Sequence, residues 1–240
     1  MAETLQARIA ALDWPRIAAE LDSQGCATTG ALLTPAECGA LAALYDATDP
    51  ALFRARVVMA RHGFGRGEYR YFAVPVPDAI ATMRSALYAQ LAPVAEAWRI
   101  ALGGAGASFP ADHAEYLARC HAAGQRRPTP VLLSYGPGDY NCLHQDLYGE
   151  LAFPLQATIL LSAPDADFTG GEFVLTEQRP RRQSRAEVVP LRQGEAVIFA
   201  VSQRPVQGSR GTYRVAMRHG VSRLRGGLRR SLGLIFHDAG

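Results

Sequence analysis

The stretch Ser134-Tyr-Gly-Pro-Gly-Asp-Tyr-Asn-Cys-Leu-His144-Gln-Asp146 decides how this chain is read. It predicts a strand, a turn over Pro137-Gly138, and a second strand across residues 141–146 that closes in His-Gln-Asp. Residues two apart on a strand point to the same face. His144 and Asp146 therefore aim an imidazole and a carboxylate into one space. That is two thirds of a two-His, one-carboxylate face, the donor set that holds non-haem iron with coordination positions left open. A lone His-x-Asp is common by chance and otherwise reads as a solvated polar turn. The rest of the chain must supply a third ligand.

Outward toward the C-terminus, short β-rich runs follow one another at residues 131–135, 141–146, 156–162, 171–176, 187–190, 196–201, 213–221 and 231–236. Turn signals such as Pro164-Asp165, Gly170-Gly171, Gln193-Gly194 and Gly226-Gly227 separate them. About eight short strands so punctuated predict a two-sheet sandwich or jelly roll over residues 129–240.

Outward toward the N-terminus, the periodicity becomes helical. Leu5, Ile9 and Leu12 mark one apolar face, Asp13-Trp14-Pro15 restarts the helix, and Gly25 ends it. An extended segment spans residues 26–33. Thr34-Pro-Ala-Glu37 is a capping box that opens a helix to about Tyr45. Ile80, Met83, Leu87, Leu91, Val94 and Trp98 recur at helical spacing over residues 78–102, and another helix covers 110–123. His113 and Glu115 are two apart on that helix, do not face each other, and are no metal pair. His62 and His121 read as structural and surface residues.

Between these helices, residues 57–76 form a candidate hairpin. Its Arg61-His-Gly-Phe64-Gly-Arg66-Gly-Glu-Tyr69-Arg70-Tyr-Phe72 alternates glycine with aromatics and arginines. Aromatic faces and planar guanidinium groups together bind flat bases and phosphates. The plainer reading is a hairpin packed on the core. The expected organisation is one α+β unit: an N-terminal helical segment, 1–128, carrying this hairpin as a substrate lid, and a β core, 129–240.

With 240 residues, 48% hydrophobic and 20% charged, the composition is that of a soluble globular protein, not a disordered chain. No apolar run reaches membrane-spanning length, and no secretory pattern opens the chain. Cys26, Cys38, Cys120 and Cys142 lack CxxC spacing and read as reduced thiols of a cytoplasmic protein. All 25 basic residues are Arg. Thirteen fall within residues 179–230, against the two acids Glu187 and Glu195. That bias favours an anionic partner such as nucleic acid, or else a solvated Arg-rich face.

After Asp146 the remaining histidines are His219 and His237. His219 lies in the strand run Val215-Ala-Met-Arg-His219-Gly-Val-Ser, and Arg229 follows ten residues later, after Gly227. His-x-Asp, a distal His, then Gly-x-Arg: this order resembles the iron(II)/2-oxoglutarate-dependent dioxygenase superfamily over roughly residues 130–237. The resemblance implies a double-stranded β-helix, or distorted jelly roll. It implies Fe(II) held by His144, Asp146 and His219, with 2-oxoglutarate and dioxygen filling the open positions. The far carboxylate of 2-oxoglutarate would need an always-charged bidentate partner, Arg229 by the family register or its neighbour Arg230. Gly170-Gly-Glu-Phe173 and the run from Pro190 to Phe199 resemble fold markers of the same family.

Within the superfamily, Tyr135-Gly-Pro-Gly followed by Leu-His144-Gln-Asp146 resembles the AlkB-type nucleic-acid demethylases, which implies that Tyr135 hydrogen-bonds 2-oxoglutarate. Three positions depart from that type: Leu133 replaces an Asn, Tyr148 an acid, and Ile235 a second Arg. His219-Gly-Val-Ser with terminal Ile-Phe-His-Asp resembles a bacterial branch predicted to act on nucleic acid. The expected function is hydroxylation or demethylation of nucleobases, as in DNA repair. Candidate substrate contacts are Arg61, Phe64, Arg66, Tyr69, Arg70 and Tyr148. The Arg-rich loops between residues 179 and 214 would follow a phosphate backbone. His237 reads as a structural or rim group. The same four residues would also serve a hydroxylase of a protein side chain or metabolite, as in prolyl hydroxylases, and a jelly-roll binding module without metal is the non-enzymatic alternative.

Overall fold

Residues 3–104 and 106–240 are described by a computed structural model. Local chemistry sets the helices. Asp13 accepts from the Arg16 amide and caps α2 (Trp14–Gln24), which follows α1 (Leu5–Ala10). Gly25, at φ 81°, ends it in the left-handed conformation that glycine tolerates. The Thr34–Glu37 capping box opens α3 (Pro35–Ala43), and Glu37 also pairs with Arg8 at 2.5 Å. The long helix α4 (Asp78–Ala101) buries Ile80, Met83, Leu87, Leu91 and Trp98 along one stripe. Each fully buried aliphatic or aromatic side chain of this kind contributes about 1.5–3 kcal/mol. Helix α5 (His113–Ala122) packs beside it.

Two antiparallel sheets form the core. The major sheet runs, in spatial order, β1 (Cys26–Ala31), β11 (Glu195–Ala200), β7 (Leu155–Leu160), β15 (Arg229–Ile235), β5 (Val131–Tyr135), β4 (Glu68–Phe72) and β2 (Phe53–Val58). The minor sheet runs β10 (Arg185–Val189), β9 (Phe173–Gln178), β13 (Gly211–Val221), β6 (Tyr140–His144) and β3 (Gly65–Arg66), with β12 (Gln203–Gly208) also paired to β13. A small ribbon joins β8 (Phe168–Gly170) to β14 (Leu224–Gly227). This is the expected α+β jelly roll with helical support.

Strands from both sides of residue 128 share each sheet. The N-terminal stretch lends β1, β2 and β4 to the major sheet and β3 to the minor one. Within residues 57–76, β4 is a strand of the major sheet, paired with β5 along residues Glu68–Tyr71. A second difference concerns the opening motif. Strand β6 stops at His144, so Asp146 lies just beyond the ladder instead of within it.

The helices lock onto the major sheet through a buried polar cluster. The Arg84 guanidinium donates to the Ile235 carbonyl at 2.7 Å and pairs with Asp238 at 2.8 Å, both side chains almost fully buried. His121 Nε2 reaches the other Asp238 oxygen at 2.8 Å, and His113 Nε2 bonds the Phe236 carbonyl. Gln125 ties the Asp238 and Leu151 carbonyls together. The segment after β15 is thereby tied to the loop that follows Asp146. Burial alone would raise the Asp238 pKa, but the Arg84 charge and the His121 and Arg84 hydrogen bonds override it and lower it. That stabilisation is present above the unfolded carboxylate pKa and is lost as pH falls through the lowered folded value. Asp238→Asn leaves Arg84 buried beside a neutral partner and is expected to destabilise the fold by about 3–5 kcal/mol, measured as a shift in the urea unfolding midpoint.

Candidate active site

Strands β6 and β13 are antiparallel neighbours, and His144 sits directly opposite His219. Directly opposed residues place their side chains on one face, a few ångströms apart. The two imidazole centroids are 4.2 Å apart. Gly220 permits this approach, since a Cβ there would lie 2.6 Å from the Asn141 carbonyl oxygen. The Asp146 carboxylate turns back between the rings, Oδ1 at 3.4 Å from His144 Nε2 and Oδ2 at 3.3 Å from His219 Nε2. One ligand atom from each residue lies within 4.8 Å of the others, and among the described residues this is the one such cluster of three His, Cys, Asp or Glu side chains.

Each donor is held from behind. His144 Nδ1 lies 2.8 Å from the Cys142 carbonyl, which can only accept, so Nδ1 carries a proton and Nε2 is the nitrogen turned to the cluster. The His219 ring is held by packing, with the Phe199 and Phe173 rings at 4.6 and 6.0 Å. Tyr148 donates to Asp146 Oδ1 at 2.6 Å. Burial alone would raise the Asp146 pKa; hydrogen bonds from both imidazoles and their charge override it and hold it well below the usual range. Burial likewise opposes the protonation of both imidazoles. For His144 the bond to Asp146 wins and the pKa rises; for His219 burial wins and it falls.

These residues face a cavity of about 310 Å³ between the sheets, enough for a small organic ligand. Tyr135, Leu133, Ser231 and Gly233 line its floor, with Gln156 and Thr158 on the neighbouring strand β7. Phe64, Tyr69 and Tyr71 line its side. Beneath the Tyr135 end lies Arg229, which is paired with Tyr135 across the sheet and is 1% exposed. Its Nη1 donates to Ser231 Oγ at 3.2 Å, its Nε has no partner, and it forms no ion pair among the described residues. The Tyr135 hydroxyl is also buried without a partner. Gly171, at φ 65°, leaves room for the guanidinium stem, since a Cβ there would lie 3.0 Å from Arg229 Cδ. A buried guanidinium without a carboxylate is costly. An acid brought in by a ligand would supply that partner. Arg230 points the other way, to Asp46 at 2.8 Å and the Ala42 carbonyl.

The donor set and this orphaned cation fit a divalent iron and a keto diacid: two neutral nitrogens and one carboxylate for the metal, a forked cation for the distal carboxylate.

The expected substrate residues separate by strand alternation. Tyr69 and Phe64 line the cavity, as does Tyr148, whose hydroxyl is engaged by Asp146. Arg70 projects from the opposite face of β4 and lies over the Tyr45 and Phe53 rings at 4.6 and 5.5 Å. Arg61 and Arg66 are exposed outside the cavity, Arg66 near Asp139 at 3.8 Å. Part of the Arg-rich run is internal: Arg179, Arg185 and the buried Arg204 converge on Glu177. Cavity residues that the sequence reading did not single out include Tyr71, Gln156 and Thr158. Tyr71 shares a face with Tyr69, and Gln-x-Thr inside the apolar run of β7 was a readable signal of polar groups turned inward.

Residues 67–239 match the Oxygenase-NA family, described as an oxygenase catalysing oxidative methylation of damaged DNA. An uncharacterized protein of Mycobacterium tuberculosis is 51% identical over 168 residues, 70% of this chain and 72% of its own length. Among solved structures, a Pseudomonas putida prolyl-4-hydroxylase aligns over 92% of this chain and 96% of its own, with TM-score 0.52 and 15% identity. A 2-oxoglutarate–Fe(II) oxygenase family protein of Burkholderia pseudomallei aligns over 95% and 93%, with TM-score 0.52 and 16% identity. At such identities the likeness is one of fold. The chain belongs to the Oxygenase-NA family, and it is an oxygenase built on the fold of the iron(II)/2-oxoglutarate-dependent dioxygenases.

Proposed function

We propose that this oxygenase hydroxylates or demethylates bases in nucleic acid, with His144, Asp146 and His219 holding Fe(II) and with Arg229 and Tyr135 holding 2-oxoglutarate. The observation that carries the chemistry is the unpaired, buried Arg229 beside the unpartnered Tyr135 hydroxyl, next to the cavity that the triad faces. When bound, iron and the keto acid supply the activation of dioxygen and the oxidation of a substrate C–H bond.

The protein's own groups do the positioning. Tyr148 holds the Asp146 carboxylate by one oxygen, and the Cys142 carbonyl fixes the His144 tautomer. Arg229 takes the distal carboxylate of the diacid as a fork, with the Tyr135 hydroxyl as a further donor. Tyr69, Tyr71 and Phe64 present aromatic surface to a flat ring and displace water from the cavity side. A base reaches such a site only after leaving its stack. Phe64, Leu143 and Leu147 are exposed apolar groups, with Phe64 and Leu143 on the cavity wall. Exposed Arg61 and Arg66 flank Phe64 in sequence and suit phosphate contacts. The family's description as acting on damaged DNA supports this substrate and a repair role. The four free thiols suit a reducing cytoplasm.

Arg229→Met is expected to weaken 2-oxoglutarate binding at least about 100-fold, because two charge-assisted hydrogen bonds disappear. Arg230→Met should leave it within about threefold. Calorimetric titration of the metal-loaded protein measures both. Metal affinity should fall as pH drops through the raised His144 pKa, starting above the ordinary 6.5, because the proton and the metal compete for Nε2. A metal titration at a series of pH values reads this; a flat profile there would count against His144 as a ligand. Iron-loaded protein should release succinate faster with a methylated oligonucleotide, and oligonucleotide binding should weaken with salt. Stimulation by a proline-rich peptide and by no oligonucleotide would sink the nucleic-acid reading in favour of a prolyl-hydroxylase-like one.

A further inference from the structure

We infer that the base this cavity admits is electrically neutral, and that cationic methylated bases are poor substrates. This rests on the nucleic-acid reading above and narrows it. Among the cavity's described lining residues the one acid is Asp146, and none is Arg, Lys or Glu. Both Asp146 oxygens are engaged, Oδ1 by Tyr148 and His144 and Oδ2 by His219. In the loaded enzyme that carboxylate and the near carboxylate of the keto acid would balance the charge of the dication. No free anion is left to pair with a positively charged ring.

Aromatic faces could otherwise receive a cation. Here the Tyr71 ring is already covered by the Arg54 guanidinium at 4.4 Å from its centroid. That places a fixed positive charge behind the wall on which a base would lie. A cation moved from water into this space loses hydration and gains no counter-ion. The cavity does offer neutral hydrogen bonding. Gln156 is 4% exposed, its Oε1 has no partner, and it lines the cavity two residues from Thr158. An unpaired amide acceptor matches a donor on the edge of an uncharged heterocycle.

The test compares single-stranded DNA oligonucleotides that each carry one methylated base. The cationic members hold 1-methyladenine or 3-methylcytosine; the neutral members hold 1-methylguanine, 3-methylthymine or N6-methyladenine. Succinate and formaldehyde release by the iron-loaded enzyme at neutral pH should favour the best neutral substrate over the best cationic one by about tenfold or more. Gln156→Glu, which puts a carboxylate in the cavity at nearly constant shape, should shift that ratio toward the cationic bases. Equal or faster turnover of the cationic oligonucleotides by the unaltered enzyme, or an unchanged ratio in Gln156→Glu, would overturn the inference while leaving nucleic acid as the substrate. If no oligonucleotide stimulates turnover, the nucleic-acid reading itself falls and takes this inference with it.

Discussion

The register between β6 and β13 is the constraint on which the site depends. His144 and His219 are far apart in the chain, yet one antiparallel pairing sets them directly opposite each other. A one-residue slip would turn one imidazole to the other face of the sheet. The register is secured on both flanks. Gly220 lets the two backbones meet, and β9 pairs with the far side of β13 from Ala216 to Val221. Asp146, beyond the ladder, then needs only a short turn to bring its carboxylate between the rings.

A second theme is the deliberate imbalance of buried polar groups. Arg84, buried by helix α4 and the segment after β15, donates to the Ile235 and His237 carbonyls, Thr129 and Asp238. Arg204 is buried just as deeply and is met by Glu177 and by the Asp22 and Ser23 carbonyls. Arg229 shares their burial without their acid. Within one sheet sandwich, two buried arginines have acid partners and the third has none among the described residues. The difference lies in their surroundings, since the side chain is the same.

Much of this was legible beforehand. His-x-Asp is a short strand spacing that residue type alone flags, whereas His219 and Arg229 were implied by the resemblance to the dioxygenase superfamily. The turn signal at Pro137-Gly138 falls in a turn, whereas Gly226-Gly227, read as a turn, lies inside β14, where it pairs with Thr169 and Phe168. The N-terminal strands were harder. β1 holds Thr-Thr-Gly, and β2 and β4 carry arginines between their apolar residues, so each reads as extended without saying which sheet it joins. Arg70 and Tyr69 were read together as substrate contacts, although alternation along β4 sends them to opposite faces.

The order of residues thus singles out candidate groups for metal and diacid, because donor chemistry depends on residue type and His144 and Asp146 stand two apart. Tertiary structure decides which of two adjacent arginines is buried without a partner. It decides that the Tyr148 hydroxyl serves Asp146, and that Arg54 stands behind Tyr71. Those outcomes depend on contacts between segments 17 or more residues apart in most cases, or on side-chain direction at a strand's end, and neither is encoded in local pattern.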